Sequence, residues 1–185
     1  VVLPVGFFER HGAQYYNSLV VIDADGRVGG LYRKSHIPEG PGYAEKHFFA
    51  PGDTGFRVRE TRFGTLGAAI CWDQWFPECA RSMALQGAEI LLYPTAIGNE
   101  PPDPDYDSSA HWRRVMQGHA AANMIPVVAA NRVGVEANPG VDMTFYGSSF
   151  ITDATGAIVA AAPRDGEAVI TAEFDLDAIR AQRRD

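Results

Sequence analysis

Cysteine is scarce in these 185 residues: Cys71 and Cys79 are the two present, eight positions apart and in no CxxC pair. That excludes a disulfide framework and a zinc site, and it points to reduced thiols in a cytoplasmic protein with no metal. No apolar run reaches the roughly 18 residues that span a bilayer, and no signal-peptide pattern is present. Lysine is almost missing too, since Lys34 and Lys46 are the only lysines among sixteen basic residues. Against 23 Asp and Glu the formal net charge is −7, which argues against nucleic acid and membrane partners. An acidic surface does not repel a cationic small molecule. Gly29-Gly30 and Gly98 lack the spacing of a phosphate-cradling loop.

What is present suffices for one core. The chain is 46% hydrophobic, and a domain of this length buries roughly 70% of its extended surface. It opens inside a strand pattern, Val1 to Phe8, and closes on a helical pattern running from Ile179 to Asp185 without a cap, so a domain incomplete at both ends is expected. Leu19 to Ile22 and Val28 to Arg33 read as a hairpin around Asp23-Ala24-Asp25-Gly26. Phe56 to Arg59, Thr65 to Ile70, Glu89 to Tyr93 and Ile125 to Asn131 read as strands. A helix is expected from Pro77 to Gln86 with Gly87 as its stop, and a second from His111 to Asn123. Phe145 to Thr152, Ile158 to Ala161 and Ala168 to Phe174 read as a late β-meander. This alternation predicts an α/β fold with a mixed sheet. The stretch from Ile97 to Ser109, rich in Asp and Pro, is the one long irregular segment.

Few residues stand out as chemistry. Cys71 ends a buried strand just before a helix, at the carboxyl edge where α/β sheets place ligands, and backbone N–H groups there favour a thiolate. A small apolar residue finishing a core strand would serve as well, and Cys79, beside Ala80 and Met83, reads as packing. Lys34 follows a strand directly; it is either a solvated strand end or a cation aimed at developing negative charge. Glu45 divides evenly between surface and site, whereas Glu78 suits the first turn of its helix. His36, His47, His111 and His119 are possible partners for a Cys–His dyad, but none lies in a local signature, and His119 among small residues reads as a packed core side chain.

Three segments make the sequence familiar: Leu31-Tyr32-Arg33-Lys34-Ser35-His36-Ile37-Pro38, Glu45-Lys46-His47-Phe48-Phe49-Ala50-Pro51-Gly52-Asp53, and Gly67-Ala68-Ala69-Ile70-Cys71-Trp72-Asp73. With Phe76-Pro77-Glu78, Tyr93-Pro94-Thr95-Ala96 and Ala129-Ala130-Asn131-Arg132, they resemble the nitrilase (carbon–nitrogen hydrolase) superfamily along essentially the whole chain. The resemblance implies an α-β-β-α sandwich and a Glu–Lys–Cys triad, of which Cys71 is the nucleophile and Lys34 the lysine. Glu45 matches the further glutamate many members carry, and the base glutamate is expected in a segment preceding the matched part. The oxyanion hole would be Lys34 with the backbone N–H of Trp72. The segments Cys71 to Glu78 and His111 to His119 are most similar to members that act on a small-molecule carbamoyl-amine substrate. The implied activity is hydrolysis of N-carbamoylputrescine to putrescine, carbon dioxide and ammonia, with no cofactor, in a homo-oligomer. An ω-amidase, an aliphatic amidase and a non-catalytic truncated module remain alternatives. Members acting on carbamoyl amino acids are expected to place arginines just after the nucleophile, where Gln74 and Trp75 stand here. Glu100, Asp103, Asp105 and Asp107 supply carboxylates for a substrate ammonium, unless they are simply a solvated acidic loop.

Overall fold

Apolar side chains that alternate along two sets of strands are buried between two sheets in this computed structural model, which describes residues 1–103, 105–138 and 140–183. Pro104 of the acidic loop and Arg184-Asp185 of the expected terminal helix lie outside the described residues. The small sheet has the order β1-β2-β3, with β1 Leu3–His11, β2 Gln14–Ile22 and β3 Tyr32–Arg33, all antiparallel. The large sheet is built from β4 Val58–Thr61, β5 Gly64–Ala68, β6 Ile90–Thr95, β7 Val127–Asn131, β10 Phe150–Thr152 and β11 Ile158–Ala161. Its order is β11-β10-β7-β6-β5-β4, and only β5, β6 and β7 run parallel. A separate hairpin pairs β8 Val133–Asn138 with β9 Val141–Tyr146.

Strand alternation decides which residues meet between the sheets. Leu19, Val21 and Tyr32 share one cluster with Ala68, Ala69, Leu91 and Val127. The same parity turns Asn17 and Lys34 toward the large sheet. Ser18 and Arg33 face the other way, where Arg33 forms ion pairs with Glu9 and, at 3.0 Å, with Asp53. Leu3, Val5 and Phe7, on that outer side, are exposed.

Two helices cover the large sheet. α1, Pro77–Leu85, buries Cys79, Ala80, Met83 and Ala84, one stripe at helical spacing, and α2, Ser109–Asn123, does the same with Trp112, Met116, His119 and Ala120. Gly67 lets α1 come close, since a Cβ there would lie 2.7 Å from Leu91 and 2.9 Å from the Met83 sulfur. A short helix, α3, spans Leu176–Gln182. Among the described residues no helix is long and apolar enough to cross a membrane.

Four local expectations are corrected. The return strand Val28 to Arg33 is broken: Val28 makes an isolated bridge and regular pairing resumes only at Tyr32. The Arg59 guanidinium intervenes, donating to the carbonyls of Gly30 and Leu31 at 3.0 Å each. Phe145 to Thr152 is not one strand but the end of β9 and all of β10, separated by Gly147-Ser148-Ser149, of which the first two have φ of 50° and 59°. β8 falls in a stretch where no strand is expected. Ala168 to Phe174 forms no strand, and Val169 there is 93% exposed.

Candidate active site

The parallel strands β5, β6 and β7 end side by side; Cys71 and Ala96 lie just past the ends of β5 and β6, and Asn131 is the last residue of β7. Cys71 begins a short 3-10 turn, Cys71–Trp75, and has φ of 47°, a left-handed conformation uncommon for a residue with a side chain. The first hydrogen bond of that turn runs from Asp73 N–H to Ile70 O at 3.1 Å. The N–H groups of Cys71 and Trp72 therefore precede the first bond of the turn, as donors at a helix start do. Cys71 Sγ lies 3.8 Å from Ala96 O. No histidine hydrogen-bonds to this sulfur among the described residues; His36 binds Asp73, and His119 Nε2 donates to Gln74 O at 2.9 Å.

Lys34 leaves β3 with its backbone held on both sides, its N–H donating to Asn17 O and its carbonyl accepting from Gly52 N–H, each at 2.8 Å. Gly52 is required there because a Cβ would sit 2.0 Å from Arg33 O. The Lys34 side chain is completely buried. Its Nζ donates to both oxygens of Glu45, at 2.7 and 2.8 Å, and Asn17 Nδ2 donates to Glu45 Oε2 at 3.2 Å. Glu45 is placed by a second 3-10 turn, Glu45–His47.

The net shift at Cys71 is away from the thiolate. Burial pushes the Cys71 thiol above its ordinary range. The Lys34 ammonium and the contact with Ala96 O pull it down, while the Glu45 and Asp73 carboxylates add to the rise. Lys34, Glu45 and Cys71 thus lie within electrostatic reach of one another. Cys79 is fully buried, its sulfur 3.9 Å from Tyr93 Oη.

Cys71 opens into a cavity of about 300 Å3 lined by Pro38, Glu39, Tyr43, Trp72, Trp75, Ile97 and Glu100. A larger open concavity between the Asp23 turn and Arg59–Arg62 carries charges of both signs and is lined by no cysteine. Of the four acidic-loop residues, Glu100 alone lines the Cys71 cavity. Asp105 and Asp107 line a different hollow, where Asp107 pairs with Arg164 at 3.0 Å and accepts from the Ser109 N–H. Asp103 closes a turn through its N–H to Glu100 O. Gln74 is buried away from the cavity and Trp75 faces it.

Sequence reasoning missed four residues here. Glu39 and Tyr43 line the cavity, and Tyr43 Oη accepts from Gly98 N–H at 2.9 Å, tying the Glu45 loop to the Glu100 loop. Asn17 carries no local signal at all. Asp73 stood inside a quoted motif, yet its long-range partners could not be read from it.

The sequence profile described as "Carbon-nitrogen hydrolase" matches residues 1–184. An N-carbamoylputrescine amidase of Arabidopsis thaliana is 61% identical over 188 residues, covering 100% of this chain and 63% of that protein. A citrullinase of Francisella tularensis subsp. tularensis is 60% identical over 183 residues, 99% of this chain and 64% of that protein. The chain thus spans just under two thirds of the length of these relatives. The crystal structure of a carbon-nitrogen hydrolase from Helicobacter pylori G27 superposes with a TM-score of 0.90 at 45% identity, over 100% of this chain and 65% of that one.

Proposed function

The chain belongs to the carbon–nitrogen hydrolase family, and on that premise we propose that it carries the nucleophile of an amidohydrolase acting on N-carbamoylputrescine. The supporting observation is the buried Lys34–Glu45 pair within reach of the Cys71 thiol, at a cavity whose charged lining residues are Glu39 and Glu100. An ordinary thiol is mostly protonated at neutral pH and burial shifts Cys71 further that way, so attack needs a base, for which the family resemblance points to a glutamate outside the matched segments. The Cys71 sulfur forms a bond to the carbamoyl carbon, and the oxyanion is held by Lys34 Nζ and the Trp72 N–H. Ammonia leaves with a proton, giving a carbamoyl thioester. Water then adds, the thiol departs, and the released carbamic acid breaks down to carbon dioxide and putrescine. Glu45 keeps the lysine aimed. Glu39 and Glu100 meet the far ammonium of the substrate, with the Trp72 and Trp75 rings flanking its methylene chain.

The 60% identity to a citrullinase favours a second reading, hydrolysis of citrulline. Citrulline bears an α-carboxylate beside its ammonium, which two cavity carboxylates would repel. Ammonia release by the full-length protein is the test, comparing N-carbamoylputrescine, citrulline and a dicarboxylate monoamide. The expected result is highest kcat/KM for N-carbamoylputrescine and none in Cys71→Ala. Preference for citrulline transfers the assignment, preference for the monoamide makes the protein an ω-amidase, and a folded protein inert to all three is a non-catalytic module.

A further inference from the structure

Asp73 is a fully buried carboxylate that the chemistry above does not use. Its two oxygens accept four hydrogen bonds. Oδ2 takes the Ile70 N–H at 3.0 Å and the Tyr32 hydroxyl at 2.7 Å; Oδ1 takes the His36 N–H at 3.0 Å and His36 Nδ1–H at 2.8 Å. The His36 ring is itself fixed, stacked on Phe76 at 3.6 Å between centroids and 5° between planes. Tyr32 and His36 stand two residues before and two after Lys34, while Ile70 and Asp73 bracket Cys71. We propose that Asp73 is a positioning residue that holds the Lys34 ammonium in register with the Cys71 sulfur, by clamping both neighbours of the lysine to the turn that carries the thiol.

The inference rests on the reading of Cys71 and Lys34 given above. Electrostatic activation does not explain the carboxylate, because its negative charge raises the Cys71 thiol rather than lowering it. Adhesion between the two segments does not need it either: apolar packing joins sheets without placing a charge in the core. Four directional bonds supply what packing alone does not, a fixed distance and angle between two elements. Lys34 and Cys71 follow strands of different sheets, so without such a clamp their separation depends on how the sheets slide.

The test is a double-mutant cycle on the full-length protein, with steady-state ammonia release from N-carbamoylputrescine as the readout, at enzyme concentrations high enough for slow variants to be measured. Asp73→Asn is expected to lower kcat about 30-fold or more with KM nearly unchanged, as roughly 1 Å of misplacement does. In a Lys34→Met background the same change is expected to have less than about a 3-fold effect, because the group it positions is gone. Thr152→Ala serves as a control that loosens a buried bond (Val127 N–H to Thr152 Oγ1, 3.0 Å) far from the cavity. It should leave kcat unchanged. Equal losses in both backgrounds, a loss confined to KM, or an equal loss in the Thr152 control overturns the proposal. If Asp73→Asn does not fold, Tyr32→Phe is run through the same cycle, with about a 5-fold loss of kcat expected in the native background only and an additive loss decisive against it. Failure of the underlying reading looks different: wild-type protein without turnover, or Cys71→Ala with it.

Discussion

At Lys34 one side chain does two things with opposite requirements. Its ammonium must be paired to be buried, and Glu45 provides that pairing with both oxygens. It must also act on Cys71, whose thiol burial has pushed upward. The two partners can be separated by their signs. Lys34→Met removes a charge that lowers the thiol, so the pH midpoint for alkylation of Cys71 by iodoacetamide should rise. On its proposed role as an oxyanion donor, kcat should fall by about 10²–10³ while KM changes little. Glu45→Gln removes a charge that raises the thiol, so its midpoint should fall. The same variant leaves a fully buried ammonium without its counter-charge and should lose about 3 kcal/mol in urea unfolding. Midpoints that move together in the two variants would show that neither charge acts on the sulfur. Buried Cys79 gives a slow internal reference in the same labelling experiment.

At the level of elements, a hydrogen bond from His119 Nε2 to Gln74 O joins α2 to the Cys71–Trp75 turn. Burial holds the imidazole below its ordinary pKa, so the folded state binds fewer protons than the unfolded chain. The associated stability is present above about pH 6.5, the unfolded value, and is lost as pH falls through the folded value. The thermal midpoint should therefore fall between about pH 7 and pH 5, above the range in which carboxylates titrate. His119→Gln keeps a donor but cannot take up a proton, and should flatten that fall; an unchanged slope would show the histidine titrates freely. The helices were legible because Pro77, Gly87 and a 3.6-residue stripe are local signals, and both lie within about two residues of expectation. The strand from Val28 failed because the group that breaks it, Arg59, comes from 29 residues away. Ala168 to Phe174 reads as strand in sequence but pairs with no strand among the described residues. For the site the same division holds. Cys71 and Lys34 were singular by type and place, and the family resemblance named them. Asp73 and Tyr32 are 41 residues apart and Asn17 and Glu45 are 28 apart, so their contacts exist only once the sheets have packed.

Across the whole molecule, Lys34 follows a strand of one sheet and Cys71 a strand of the other, and the chain as a whole is acidic. The chain carries a formal net charge of −7, and Glu39 and Glu100 line the cavity itself. A substrate with one ammonium and no anion is drawn toward such a mouth, whereas a zwitterion such as citrulline has no net charge for the field to act on. The attraction is long-ranged only at low salt, since the Debye length falls from about 30 Å at 0.01 M to about 8 Å at 0.15 M. Raising salt from about 0.01 to 0.3 M should therefore lower kcat/KM for N-carbamoylputrescine roughly 3- to 10-fold, and leave that for citrulline nearly level. Neutralising the cavity with Glu39→Gln and Glu100→Gln together should remove most of the salt slope and raise KM for the diamine derivative. If the slope survives that pair of substitutions, the distant surface supplies the attraction and the two glutamates do not meet the amine. If the two substrates show the same slope, charge does not select between them, and the choice must lie in the shape set by Trp72, Trp75 and Tyr43.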